Sequence, residues 1–271
     1  MLFRDFLFCY KNFHISLLEK RKFFKLLKIG FSLLYKFIFL ELFLYNFFYK
    51  KNLDKLSISQ SELFNKDLTF LFEHFDSLKI EHKYSSFYHE NLKEIKDKEL
   101  NILEIGTAKG DGLASFYFYF PKSKIIGVDN NPFRMRYKSK RIRNIYVDIS
   151  SKTILENLSK HINQKFDLII DDCSHRLIDQ IFCFSENFEN LKEGGIYIVE
   201  DLNFPEMHEM YNPTNEDLDL KTILQQISRG KRISSKFIDK NKIEYIEKNI
   251  KNIKFYSGQG KYSEIVFIKK K

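Results

Sequence analysis

The sequence predicts an α/β protein with a doubly wound, mostly parallel seven-stranded sheet, a C-terminal antiparallel hairpin and an N-terminal helical extension. Three observations carry that expectation. Short apolar runs alternate with amphipathic stretches from residue 99 onward, which is the pattern of βαβ units. The first run opens directly into a glycine-rich loop, and the chain finishes in two apolar runs split by Ser257, Gly258 and Gly260.

Five runs supply the parallel part: Leu100–Ile105, Lys124–Val128, Ile145–Val147, Phe166–Ile170 and Ile196–Val199. Ser151–His161 and Leu177–Leu191 are amphipathic and read as two of the connecting helices. Ile253–Tyr256 and Ile265–Ile268 form the closing hairpin. Residues 99–271 therefore make one domain, interrupted by an insertion at about 202–240 that is long enough to cover a substrate. Residues 51–98 form a helical lead-in, with an apolar stripe at Leu68, Leu71, Phe72 and Phe75.

The formal charge of +9 is unevenly spread. The first fifty residues carry nine Lys and Arg against Asp5, Glu19 and Glu41, so two thirds of the excess lies there. The rest is nearly balanced and has no need of nucleic acid as a partner. Residues 1–50 are apolar and basic. Positions 30–49 could span a bilayer by length, but Lys36 and Glu41 near their middle each cost roughly 2.5–3.5 kcal/mol there. The segment reads as a buried or dimer-forming amphipathic helix, or as a peripheral helix held on an anionic leaflet by Lys20, Arg21, Lys22, Lys25 and Lys28. Cys9, Cys173 and Cys183 have no zinc-site spacing and are odd in number, and no secretory signal is evident. The expected location is the cytoplasm, with a peripheral position at the inner membrane face as the variant.

The loop reads Glu104-Ile-Gly106-Thr107-Ala-Lys-Gly110-Asp-Gly112, with Asp129 closing the next strand. An acidic residue about 25 positions after such a loop is placed to hold ribose hydroxyls. The glycines permit a tight turn and close backbone approach. The spacing is not that of a dinucleotide site, and Glu104 would repel a pyrophosphate, which disfavours NAD chemistry. Over roughly residues 99–200 the pattern resembles the Rossmann-like class I S-adenosylmethionine-dependent methyltransferases. The resemblance implies that Glu104, Gly106, Thr107 and Gly110 surround the methionine part of the cofactor, that Asp129 binds the ribose, and that Asp148 lies near the adenine. It adds Asp171 to the cofactor-binding set.

Two further strands end in Asp171-Asp172-Cys173-Ser174-His175 and Glu200-Asp201. If the strands are neighbours, Asp172, Glu200 and Asp201 converge beyond the carboxyl edge of the sheet, where ligands of open α/β folds bind. Clustered carboxylates repel one another unless a cation or protons intervene, and an all-oxygen set suits Mg2+ better than Zn2+. His175, three residues after Asp172, faces the same cleft and can act as a general base near neutral pH. Taken singly, each Asp also reads as a helix cap and the His as a surface residue.

The runs Asp167–His175 and Gly194–Asp201 resemble more closely the metal-dependent sugar O-methyltransferases of macrolide biosynthesis, of the macrocin and mycinamicin types. That resemblance implies Mg2+ ligands at Asp172, Glu200 and Asp201 and a base at His175, with Cys173 standing where the family has Gly. It also implies S-adenosyl-L-methionine as methyl donor and a carbohydrate or glycosylated small molecule as acceptor. Other readings keep a different acceptor, phosphorylated, amino or lipid-linked, or make the chain a catalytically silent assembly protein.

Overall fold

The computed structural model describes residues 51–271 apart from 132–133, 214–217 and 261–262, together with residues 4, 5, 7–9, 11, 12, 44 and 48–50. Most of the expected helix across positions 30–49 thus lies outside the described residues. No helix among the described residues is long and apolar enough to cross a membrane.

The lead-in begins with β1 (Lys51–Asn52) and α1 (Leu53–Ser59), where the Asn52 side chain accepts from Asp54 N and Lys55 N. Helix α2 (Leu68–His74) is capped by Asp67, which accepts from Phe70 N. A 3-10 turn at Leu78–Ile80 then leads to α3 (Ser85–Leu92). The stripe Leu68, Leu71, Phe72 and Phe75 is buried as expected. It meets α4 (Asp111–Tyr119), all nine residues of which are buried. Phe72 packs edge-on to Phe116 at 5.8 Å, and Tyr88 lies 5.6 Å from the same ring. Such aromatic pairs add roughly 0.5–1.5 kcal/mol each beyond area burial. The lead-in side chains join the same core as the sheet, so α4 is sandwiched between them.

The main sheet contains β2 (Asn101–Ile105), β3 (Lys124–Asp129), β5 (Ile142–Tyr146), β6 (Phe166–Asp171), β7 (Leu191–Val199), β8 (Ile250–Ser257) and β9 (Glu264–Lys270). The short β4 (Tyr137–Lys138) pairs with β1 instead. The order is β5-β3-β2-β6-β7-β9-β8, with β9 antiparallel to both β7 and β8. This is the mostly parallel seven-stranded sheet and closing hairpin that the sequence predicts. The central strands are nearly all buried because both faces of the sheet are covered.

Two strands run longer than their apolar residues. Strand β5 starts at Ile142, three residues before the apolar run, because the charge of Arg143 is taken up by the buried Asp5. Strand β7 starts at Leu191 and passes through Gly194 and Gly195, with a register irregularity against β6. The helix expected at Ser151–His161 is α5 (Lys152–Ile162), capped by the Ser151 hydroxyl. The other expected helix is α6 (Leu177–Asn187). The insertion holds α7 (Phe204–Met207) and α8 (Leu220–Ser228), followed by α9 (Lys240–Asn249).

The chain reverses direction of winding between β2 and β6, and a crevice opens beyond their carboxyl ends. The strand tips are laced together there. Gly106 N donates to Val128 O at 2.8 Å, Asp172 N to Ile105 O at 2.8 Å and Glu200 N to Asp171 O at 2.9 Å.

Candidate active site

The crevice holds a cavity of about 420 Å³ lined by the glycine loop, the tips of β3, β6 and β7, and the turn before α3. Glu104, Gly106, Thr107, Asp129, Asp148, Asp172, His175, Glu200 and Asp201 all line it. Gly110 belongs to the same loop and opens α4 with φ +82°.

Two of the three loop glycines have a structural reason beyond ligand approach. Gly106 has φ +91°, and a Cβ there would fall 1.9 Å from the Asp172 carbonyl oxygen. A Cβ on Gly110 would fall 2.3 Å from Met135 Sδ. Gly106 therefore lets the tip of β2 close on the tip of β6 and so places Asp172.

At the nucleoside end, Asp129 Oδ2 accepts from Ala108 N at 2.7 Å and Oδ1 from Asn131 N at 2.8 Å. The carboxylate is thereby fixed in orientation, with lone pairs left for further donors. Asp148 accepts from the Ser150 backbone and hydroxyl at 3.1 and 2.7 Å. Glu104 Oε2 and Thr107 Oγ1 are buried without a hydrogen-bond partner among the described residues. Native buried polar atoms are mostly paired, so these two fit a polar ligand bound on the loop.

Asp171 departs from the expected cofactor set. It is 1% exposed and does not line the cavity. Its oxygens accept from Cys173 N and the Tyr197 hydroxyl, each at 3.3 Å, beside Cys183. Burial pushes its pKa up to about 6. Successive side chains at a strand end face opposite ways, so Asp172 enters the cavity and Asp171 turns toward the α6 side. Cys173 is not among the described residues with left-handed backbone. A side chain in the family's glycine position thus causes no strain here.

The left-handed conformation falls elsewhere: Ala108, His175 and Asp201 have φ of +46°, +56° and +52°, and all three line the cavity. Strained backbone concentrates where surrounding structure holds side chains for a task. His175 rests against the Phe204 ring at 4.8 Å. Its Nε2 lies 4.0 Å from Asp172 Oδ1 and 3.8 Å from Asp201 Oδ2. Burial lowers its pKa despite the Asp172 charge, so the imidazole is neutral near pH 7.

Asp172, His175 and Asp201 bring one ligand atom each within 4.8 Å of one another. Glu200, the third expected ligand, lines the same cavity but lies outside this close group. Its Oε1 accepts from Lys79 Nζ at 2.6 Å and from the Tyr88 hydroxyl. Sequence reasoning missed this lead-in contribution. Lys79 Nζ also reaches Asp172 Oδ2 at 2.8 Å and Glu104 Oε1 at 3.3 Å. Burial opposes the charge on Lys79, but Asp172, Glu200 and Glu104 outweigh it and hold its pKa well above the ordinary lysine value. Burial raises the pKa of Glu104 to about 7 even with Lys79 beside it, and burial likewise raises those of Glu200 and Asp201. The Tyr84 hydroxyl donates to Asp201 Oδ1 at 2.7 Å. Tyr84 and Tyr88 stand four residues apart, one helical turn, which is a readable signal. Lys79 is one of 45 basic residues and carries none.

The oxygens of Asp172 and Asp201 that are not bound to Lys79 or Tyr84 face the same space. The donor set fits a small divalent cation. Tyr88→Phe should destabilise the fold by ~1–3 kcal/mol, because it leaves a buried Glu200 oxygen with Lys79 alone. A urea midpoint unchanged by that substitution would contradict the bond.

Comparison with known proteins gives a consistent picture. Residues 96–250 match the family model described as a methyltransferase domain. Over 128 residues the chain is 30% identical to 8-demethyl-8-alpha-L-rhamnosyl tetracenomycin-C 2'-O-methyltransferase of Streptomyces olivaceus, covering 45% of this chain and 33% of that protein. It is 26% identical over 128 residues to mycinamicin VI 2''-O-methyltransferase of Micromonospora griseorubida, covering 45% and 32%. The matched stretch thus spans about a third of the length of these curated relatives. Among solved structures, the mycinamycin-pathway methyltransferase MycE, in complex with Mg, SAH and mycinamycin VI, superposes with a TM-score of 0.62 at 20% identity, covering 76% of this chain and 54% of that one. That likeness extends to the fold.

Proposed function

Because the chain belongs to the methyltransferase-domain family, we propose that it moves a methyl group from S-adenosylmethionine to a hydroxyl of a sugar borne on a small-molecule acceptor. One observation carries the reading. Two carboxylates from neighbouring strand tips each present an oxygen to a neutral imidazole, within a cavity whose other wall is the glycine loop. The sugar acceptor is supported by the relatives, which are named as O-methyltransferases of rhamnosyl tetracenomycin and mycinamicin.

In this reading Glu104 Oε2 and Thr107 Oγ1 hold the polar methionine end of the donor, and Asp129 holds the ribose. Asp148 lies beside the base. Asp172 and Asp201 hold Mg2+. The bound cation supplies acidity to the acceptor hydroxyl and fixes its direction. His175 Nε2, the nitrogen facing both carboxylates, takes the hydroxyl proton as the oxygen attacks, and those carboxylates stabilise the imidazolium that forms. The loop and the strand tips keep the two reactants in line, which lowers the entropic part of the barrier.

Asp129→Asn should weaken S-adenosylhomocysteine binding about tenfold, the loss of one good charged hydrogen bond. Isothermal calorimetry reads that change, and an unaltered Kd would remove Asp129 from the ribose site. The reading as a whole is tested with donor carrying a labelled methyl group and a panel of deoxysugar glycosides and nucleotide sugars. Label should pass to at least one glycoside in Mg2+ and not after chelation. Transfer that survives chelation and His175→Asn would overturn the mechanism.

A further inference from the structure

We propose that Lys79 is a positioning residue that occupies one cation place of the carboxylate cluster, so that a divalent metal is held by Asp172 and Asp201 without Glu200. The inference rests on the metal-assisted reading above and goes beyond it by assigning a role to the lead-in, most of which lies outside the stretch matched by the family model.

The geometry divides the four carboxylates into two groups. Glu200 Oε1 and Glu104 Oε1 both face Lys79 Nζ, at 2.6 and 3.3 Å. Asp172 and Asp201 are each held by one oxygen only. Asp172 gives Oδ2 to Lys79 at 2.8 Å, and Asp201 gives Oδ1 to the Tyr84 hydroxyl at 2.7 Å. The remaining oxygens, Asp172 Oδ1 and Asp201 Oδ2, are the ones nearest His175. Two lead-in donors thus set the rotation of both carboxylates, and one of them, Lys79, also engages Glu200.

The ammonium is built into the fold. Lys79 is 5% exposed, and its backbone lies in the 3-10 turn, where its carbonyl accepts from Tyr84 N at 3.1 Å. The same turn therefore fixes both donors. The charge of Lys79 also repels a second cation through Asp172, which keeps the metal weakly held and on the His175 side.

Mn2+ titration followed by electron paramagnetic resonance tests this on the full chain without acceptor, where binding rather than turnover is read. Glu200→Gln should change the Mn2+ Kd less than threefold, whereas Asp201→Asn should weaken it at least tenfold. Lys79→Met should tighten it at least tenfold by releasing Glu200, and Lys79→Arg should restore a value near wild type. In the Lys79→Met background, Glu200→Gln should then weaken binding at least tenfold. If Lys79→Met does not fold, the Glu200→Gln and Asp201→Asn pair still decides, since both keep the ammonium. Glu200→Gln weakening the metal as much as Asp201→Asn would overturn the inference while leaving the metal reading intact. No Mn2+ binding by any variant would overturn both.

Discussion

Replacing His175 by Asn is expected to lower kcat by ~10²–10⁴-fold, the range for removal of a general base, with the Kd for S-adenosylhomocysteine within threefold of wild type. Asn is the apt replacement because it tolerates the left-handed backbone at this position, φ +56°, better than most residues. The change then reports chemistry more than folding. The imidazole sits 4.0 and 3.8 Å from the two carboxylates and is backed by Phe204, the placement on which its proposed role in proton transfer rests. A fall in donor affinity equal to the fall in kcat would instead mark His175 as part of the cofactor pocket.

Gly106→Ala should be the most damaging single methyl group in the domain. Its Cβ would lie 1.9 Å from Asp172 O and 2.4 Å from Asp172 C, both backbone atoms, and the residue has φ +91°. Neither atom can rotate away. The tips of β2 and β6 would have to separate, breaking the 2.8 Å bond from Asp172 N to Ile105 O. The expected cost is roughly 3 kcal/mol or more, a fall in Tm on the order of 10 °C for a chain this size. Differential scanning calorimetry reads it, and a Tm within 2 °C of wild type would show that the strand tips tolerate separation. The same substitution should displace Asp172, one carboxylate of the proposed metal site.

Much of this architecture is legible in the residues. Parallel strands buried on both faces must be apolar, so Leu100–Ile105 and Phe166–Ile170 announce themselves, and carboxylates placed just beyond them stand out. The ends of β5 and β7 are not so marked, because backbone pairing continues through Arg143 and through Gly194-Gly195 without any apolar signal. Which of two adjacent acids enters the cavity depends on the strand's facing, which the pair Asp171-Asp172 does not encode. The opposition of Lys79 to Glu200 is a contact across 121 positions, between a 3-10 turn and a strand tip. Local pattern cannot carry such a pairing, so nothing in the expected metal triad signals that Glu200 also meets an ammonium. The glycine loop was read for ligand approach, whereas the close neighbour of Gly106 is the Asp172 backbone.

Calorimetric titration with S-adenosylhomocysteine tests the assignment of the cavity most directly. One site per chain is predicted, weakened at least tenfold by Glu104→Gln, whose buried Oε2 has no partner among the described residues, and unchanged by His175→Asn. Absence of binding at millimolar ligand, or binding indifferent to Glu104, would contradict the claim that the space beyond the strand tips is a donor pocket.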